Sequence, residues 1–138
     1  MRDAVPRRSR PARTVVAAVI EKEGKVLIGQ RPRSSSYGGR WEFPGGKVES
    51  REDPREALAR ELWEELAIRA EIGEEFTRYE YQYPGRPPIQ LIFYFVTRWE
   101  GEPENRAFEK IVWEWPQRFS EYDFLDGDID LIRRLARR

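Results

Sequence analysis

The chain contains no cysteine and no histidine. The first absence excludes disulfides, thiolate zinc sites and cysteine nucleophiles. The second removes the commonest general base and the commonest transition-metal ligand. Any metal held by these side chains is held by oxygen, which points to Mg²⁺, Mn²⁺ or Ca²⁺ and away from zinc and haem. Net charge is also missing. Twenty-five basic residues balance 25 acidic ones over 138 positions, so no global field draws the protein to nucleic acid or to a membrane. No apolar run is long enough to span a bilayer, and none reads as the core of a signal peptide. The expectation is a cytoplasmic protein, monomer or homodimer, with no membrane partner and no stable nucleic-acid binding. What the chain has in abundance is charge, at 36% of residues, with 39% hydrophobic and 13% aromatic residues to build a core. That suits one domain with a heavily solvated surface.

Residues 1–13, "MRDAVPRRSRPAR", are rich in Arg and Pro without periodicity and read as a disordered basic tail; residues 14–138 read as a single domain. "TVVAAVIEKEGKVLIGQR" gives two β-rich runs joined at Glu23-Gly24, a hairpin signal. "WEFPGGKVE" is a short extended piece broken by Pro44-Gly45-Gly46. A helix follows, opened by Asp53 as N-cap, Pro54 at the first helical position and Glu56 completing a capping box. Leu58, Leu62 and Leu66 form its buried stripe. From Arg69 to Trp99 the chain is strand-rich, and "IQLIFYFV" is apolar enough for a central strand. "KIVWEW" is a further strand, and "DIDLIRRLARR" a closing helix that begins near Asp128. The order strands, helix, strands, helix predicts an α/β fold: a mixed sheet sandwiched between helices.

The first helix carries an unfavourable feature. Glu61, Glu64 and Glu65 fall at i, i+3 and i+4, where like charges repel by a few tenths of a kcal/mol per pair. The stripe lies beside the buried leucines rather than opposite them. Either the face is merely solvated or something positive stands before it.

From Gly46 the sequence runs "GKVESREDPREALARELWEELAI". It resembles the box of the Nudix family, G-x5-E-x7-R-E-U-x-E-E-x-G-U with U aliphatic, at Gly46, Glu52, Arg60, Glu61, Leu62, Glu64, Glu65 and Ile68. The resemblance implies a hydrolase of phosphoanhydride bonds that uses Mg²⁺, with Mn²⁺ as a possible substitute. It implies Glu61, Glu64 and Glu65 as metal ligands with the Gly45 carbonyl, and Arg60 and Glu52 as the pair that orients them. Cations at that place would cancel the repulsion along the stripe. Without histidine a glutamate is the expected base, Glu61 first. The catalytic residues so implied are Arg60, Glu61 and Glu64. One position departs from the pattern: Ala67 stands where the family has glycine. A left-handed exit there would cost alanine about 1 kcal/mol, so a slightly different exit from the helix is expected.

"WEFPGGK" and "VTRWEGEP" look like the MutT-type branch of that family, which cleaves oxidised nucleoside triphosphates such as 8-oxo-dGTP to monophosphate and pyrophosphate. That branch implies a nucleotide substrate touched by Arg31, Phe43, Arg86 and Asp128. The bland alternatives are a surface arginine, a core phenylalanine, a loop charge and a helix cap. Asp128 departs from the asparagine of the guanine-reading enzymes and matches the cytidine-triphosphate ones, so hydrolysis of CTP or modified dCTP is the alternative substrate reading. Ala107 stands where the branch often has a further metal-binding glutamate; Glu109 is the nearest substitute and Glu104 the next. A catalytically silent nucleotide-binding module is the non-enzyme alternative, and the intact box charges argue against it.

Overall fold

The computed structural model describes residues 13–138. The tail assigned to residues 1–13 therefore lies outside the described residues, apart from Arg13, which opens the first strand.

β1 (Arg13–Lys22) and β2 (Lys25–Gln30) meet at Glu23 and Gly24, both with positive φ, as a two-residue turn whose twist matches the strands requires. Their antiparallel pairing stops after Glu21–Val26 and Lys22–Lys25. Beyond it the strands diverge, and "WEFPGGK" fills the gap. β3 (Trp41–Glu42) pairs with β2, while β4 (Gly45–Lys47) pairs with β1 at Val15, Val16 and Ala17. The Pro44 carbonyl between them accepts from the Ala18 N–H at 2.8 Å. Gly45 is needed for this wedge, since a Cβ there would collide with the Val16 carbonyl.

The other edge of β1 runs parallel to β7 (Ile89–Val96), which pairs in turn with β6 (Glu75–Tyr81). The apolar run read as a central strand is thus flanked on both sides. β9 (Lys110–Glu114) covers the outer edge of β2, and β5 (Arg69–Glu71) and β8 (Arg98–Glu100) form a separate ribbon. The mixed sheet is covered on both faces. One face packs Val16, Ala18, Ile20 and Ile92 against α1 (Pro54–Leu66) through Ala57, Leu58, Leu62 and Leu66. The other packs Val19, Ile28 and Phe93 against Phe119, Phe124 and α2 (Ile129–Ala136) through Leu131 and Leu135. This is the expected layered α/β sandwich.

The capping box on α1 is formed: Asp53 accepts from the Arg55 N–H, and Glu56 accepts from the Asp53 N–H, both at 3.1 Å. At the other end the expectation fails. Ala67 keeps the left-handed conformation, with φ 58 and ψ 31, and its N–H donates to the Trp63 carbonyl. The helix exits as a glycine would make it, and the alanine bears the strain.

Candidate active site

The split between β1 and β2 opens a cleft of about 520 Å³, a size suited to a nucleotide-scale ligand. Its floor is β1 and Gly45-Gly46, and its walls carry Arg31, Glu42, Phe43, Glu65, Arg86 and Asp128. Arg31, Phe43, Arg86 and Asp128, far apart in sequence, thus meet around one cavity that also reaches the first helix. Phe43 does two jobs: it lines the cleft and stacks on Phe124 within the core.

Arg60 organises the helix side. Its guanidinium donates twice to Glu52, at 2.8 and 3.0 Å, once to the Lys47 carbonyl at 3.1 Å, and to Glu61 and Glu64 at 3.1 and 3.3 Å. Hydrogen bonds from Arg60 and from the Glu49 N–H lower the Glu52 pKa. Glu61 rests over Gly46, where a Cβ would meet its carboxylate. Burial outweighs the pull of Arg60 and raises the Glu61 pKa. Glu64 is the outward member of the three, more than half exposed.

Glu65 turns inward and accepts from the Gly45 N–H at 3.1 Å. Burial first, then Glu42, Glu61 and Glu64, push its pKa up to about 9. Gly45 thus meets the glutamate cluster through its N–H here, while its carbonyl was the atom expected to serve. Glu42 is raised by burial against the opposing effect of Arg31, which grips both its oxygens at 3.1 and 3.2 Å. Asp128 is buried and pushed well above the usual carboxylate range by burial and by Glu42, against the Phe43 N–H and Arg31.

Four carboxyl groups are therefore held toward their neutral forms, because negative charge is crowded into a partly dry cleft. The donor set is all oxygen, and the excess is anionic; both fit a hard divalent cation. Among the described residues no three acidic side chains yet converge as a cage. Glu61 and Glu64 lean toward Arg60, and Glu65 toward Gly45. Glu109 is exposed, with its N–H bonded to the Gln30 carbonyl. Glu104 pairs instead with Arg106. Asp128 makes no side-chain cap on α2, so the helix-cap alternative for it is not met.

Sequence reasoning passed over three residues of this cleft. Glu42 was quoted within "WEFPGGK" and given no role, although a carboxylate between two aromatic residues of a short strand was a signal. Tyr37 and Tyr83 come from two separate loops and pack with ring centroids 5.1 Å apart, Arg86 lying over Tyr37. Nothing in the sequence joins those loops.

Comparison with known proteins finds similarity over most of the chain. The NUDIX domain model matches residues 10–134. A CTP pyrophosphohydrolase of Escherichia coli is 42% identical over 118 residues, covering 86% of this chain and 87% of its own. An 8-oxo-dGTP diphosphatase of Haemophilus influenzae is 36% identical over 122 residues, covering 88% and 89%. Among solved structures, the solution structure of the E. coli ORF135 protein superposes with a TM-score of 0.81 at 39% identity, covering 91% of this chain and 89% of that one. The MutT protein of Methanosarcina mazei shares the fold, with a TM-score of 0.82 at 23% identity.

Proposed function

We propose, for a chain that belongs to the Nudix family of hydrolases, that it cleaves nucleoside triphosphates to monophosphate and pyrophosphate with the help of divalent cations. The observation that carries this reading is the single cleft into which the box glutamate Glu65, the arginines Arg31 and Arg86, and the buried Asp128 all open. Glu61, Glu64 and Glu65 would hold the cation, Mg²⁺ first and Mn²⁺ as a substitute. Bound there, it would supply charge neutralisation to the phosphate chain and lower the pKa of a water. Arg60 holds Glu61 and Glu64 in place and is itself fixed by Glu52. Glu61, largely shielded from solvent and raised in pKa by burial, would accept a proton from an attacking water. Arg31 and Arg86 offer positive charge to the triphosphate at the cleft mouth.

The base is read at Asp128. Burial favours its protonated form. A neutral carboxyl presents one donor and one acceptor side by side, which complements N3 and the N4 amino group of cytosine. Cytidine triphosphates are therefore the preferred class in this reading, in line with the 42% identical relative named for CTP. Oxidised purine triphosphates such as 8-oxo-dGTP, first in the sequence reading, are the second. Guanine N1–H and N2–H₂ together ask for two acceptors, which Asp128 supplies only when ionised. The test is a panel of CTP, dCTP, 8-oxo-dGTP, dGTP and dTTP with Mg²⁺, monitoring pyrophosphate against phosphate release. Pyrophosphate from CTP, abolished by EDTA, is the expected result. Full turnover in excess EDTA removes the metal role, and the absence of turnover on every member leaves a binding module.

A further inference from the structure

An aspartate at the first turn of a helix ordinarily spends its carboxylate on the free N–H groups there. Asp128 stands at the cap position of α2 and does not. The reason lies on β6. The Tyr79 hydroxyl accepts the N–H of Leu131, the third helical residue, at 3.1 Å, which is the bond an N-cap side chain would make. The same hydroxyl donates to the Gly127 carbonyl at 2.6 Å. On the other side of that residue, the Tyr83 hydroxyl accepts the Gly127 N–H at 2.9 Å. Two tyrosines thus hold both polar ends of the residue that precedes Asp128. Gly127 permits the approach, since a Cβ on it would stand 2.7 Å from the Tyr83 hydroxyl.

We infer that Tyr79 and Tyr83 are positioning residues for base recognition: Tyr79 caps α2 in place of Asp128, and with Tyr83 it pins Gly127, so that the Asp128 carboxyl is not spent on the helix and lines the cleft. The inference rests on the reading of Asp128 as the base-reading group. Tyr83 also carries this coupling to the cleft rim, because its ring packs on Tyr37 in the facing loop.

Tyr79→Phe and Tyr83→Phe keep the rings and remove one hydroxyl each. Each variant should raise KM for the preferred nucleotide by about five- to tenfold, the loss of one or two buried hydrogen bonds, while kcat at saturation stays within about twofold. Each should also compress the ranking of bases. In an Asp128→Ala background the tyrosine changes should have almost no further effect on KM, as expected for groups acting through one partner. Equal effects with and without the Asp128 side chain would reduce the tyrosines to plain structural support and overturn the inference. A second readout needs no substrate: amide exchange at Gly127 and Leu131 should accelerate by about tenfold or more in the variants, and unchanged exchange also overturns it. If Asp128→Ala itself leaves base ranking intact, the reading of Asp128 fails and the inference falls with it. If Asp128→Ala flattens the ranking and the tyrosine variants do not, the inference alone fails.

Discussion

Replacing Ala67 by glycine should make the protein more stable, although it removes a methyl group and adds nothing. Ala67 sits at φ 58 and ψ 31, with its N–H closing the last turn of α1 onto Trp63. An L-residue in that region loses about 1–2 kcal/mol to the clash of its Cβ with the backbone. Glycine escapes the clash but gives up about 0.5–1 kcal/mol more backbone freedom on folding. The half-buried methyl takes away a few tenths of the difference. The net gain is about 0.5 kcal/mol, which for a domain of this size raises Tm by about 2 °C. Urea titration should shift the midpoint upward at constant m-value, and kcat/KM should not move. Ala67→Val supplies the opposite sign, because a β-branched residue tolerates the conformation worse. An unchanged or lowered Tm for Ala67→Gly would refute the claim that alanine bears strain at this turn.

Glu65→Gln should lower kcat by orders of magnitude, yet raise the thermal stability of the metal-free protein at pH 8. The folded state lifts the Glu65 pKa from 4.5 to about 9, so it binds that proton more tightly than the unfolded chain does. Its stabilising effect is complete below pH 4.5 and is lost as pH rises toward 9, at up to about 1.4 kcal/mol per pH unit for one proton. Thermal melts of the wild type in EDTA should fall across that window and those of Glu65→Gln should fall less; parallel slopes would contradict the assignment. Arg60→Lys should reduce kcat by about tenfold or more, because an ammonium cannot bridge Glu52, Glu61, Glu64 and the Lys47 carbonyl together. Combined with Glu52→Gln it should cost little more than alone, and additive losses would show that the two do not act as a unit.

The elements that local chemistry decides were legible in the sequence. Asp53, Pro54 and Glu56 announce the start of α1, and Glu23-Gly24 announces the turn between β1 and β2. The family resemblance implied the pairing of Arg60 with Glu52 before any distance was known, and the two are joined by paired hydrogen bonds. What failed depended on neighbours remote in sequence. The hairpin signal at Glu23-Gly24 said nothing of how far β1 and β2 pair; "WEFPGGK" takes over both edges beyond the turn. The left-handed exit at Ala67 was expected to relax, but it persists. The Glu104 N–H and Arg106 N–H bind the carbonyls of Leu66 and Glu65, so a returning loop grips this end of α1. The crowding of Glu42 with Glu65 and Asp128 is likewise a product of the wedge, since they come from β3, α1 and the turn before α2.

That crowding gives Asp128 a property no sequence pattern carries, a proton retained above the ordinary carboxylate range, and it has a measurable consequence. In the neutral form the O–H donates to cytosine N3 while the carbonyl oxygen accepts from the N4 amino group. Loss of the proton removes the donor and sets a negative charge against the N3 lone pair. Guanine gains instead, because its N1–H and N2–H₂ then face two acceptors. The ratio of kcat/KM for CTP to that for dGTP should therefore fall as pH rises through the raised pKa of Asp128, which burial sets above the ordinary carboxylate range. Taking the ratio matters: metal loading and the titration of Glu65 affect both substrates alike and cancel. One buried donor lost is about 1–3 kcal/mol, roughly tenfold or more in the ratio once Asp128 is fully ionised. Asp128→Asn has no proton to lose in this range, so its ratio should be flat. A flat ratio in the wild type, or an equal slope in Asp128→Asn, would mean that the proton on Asp128 is not what reads the base.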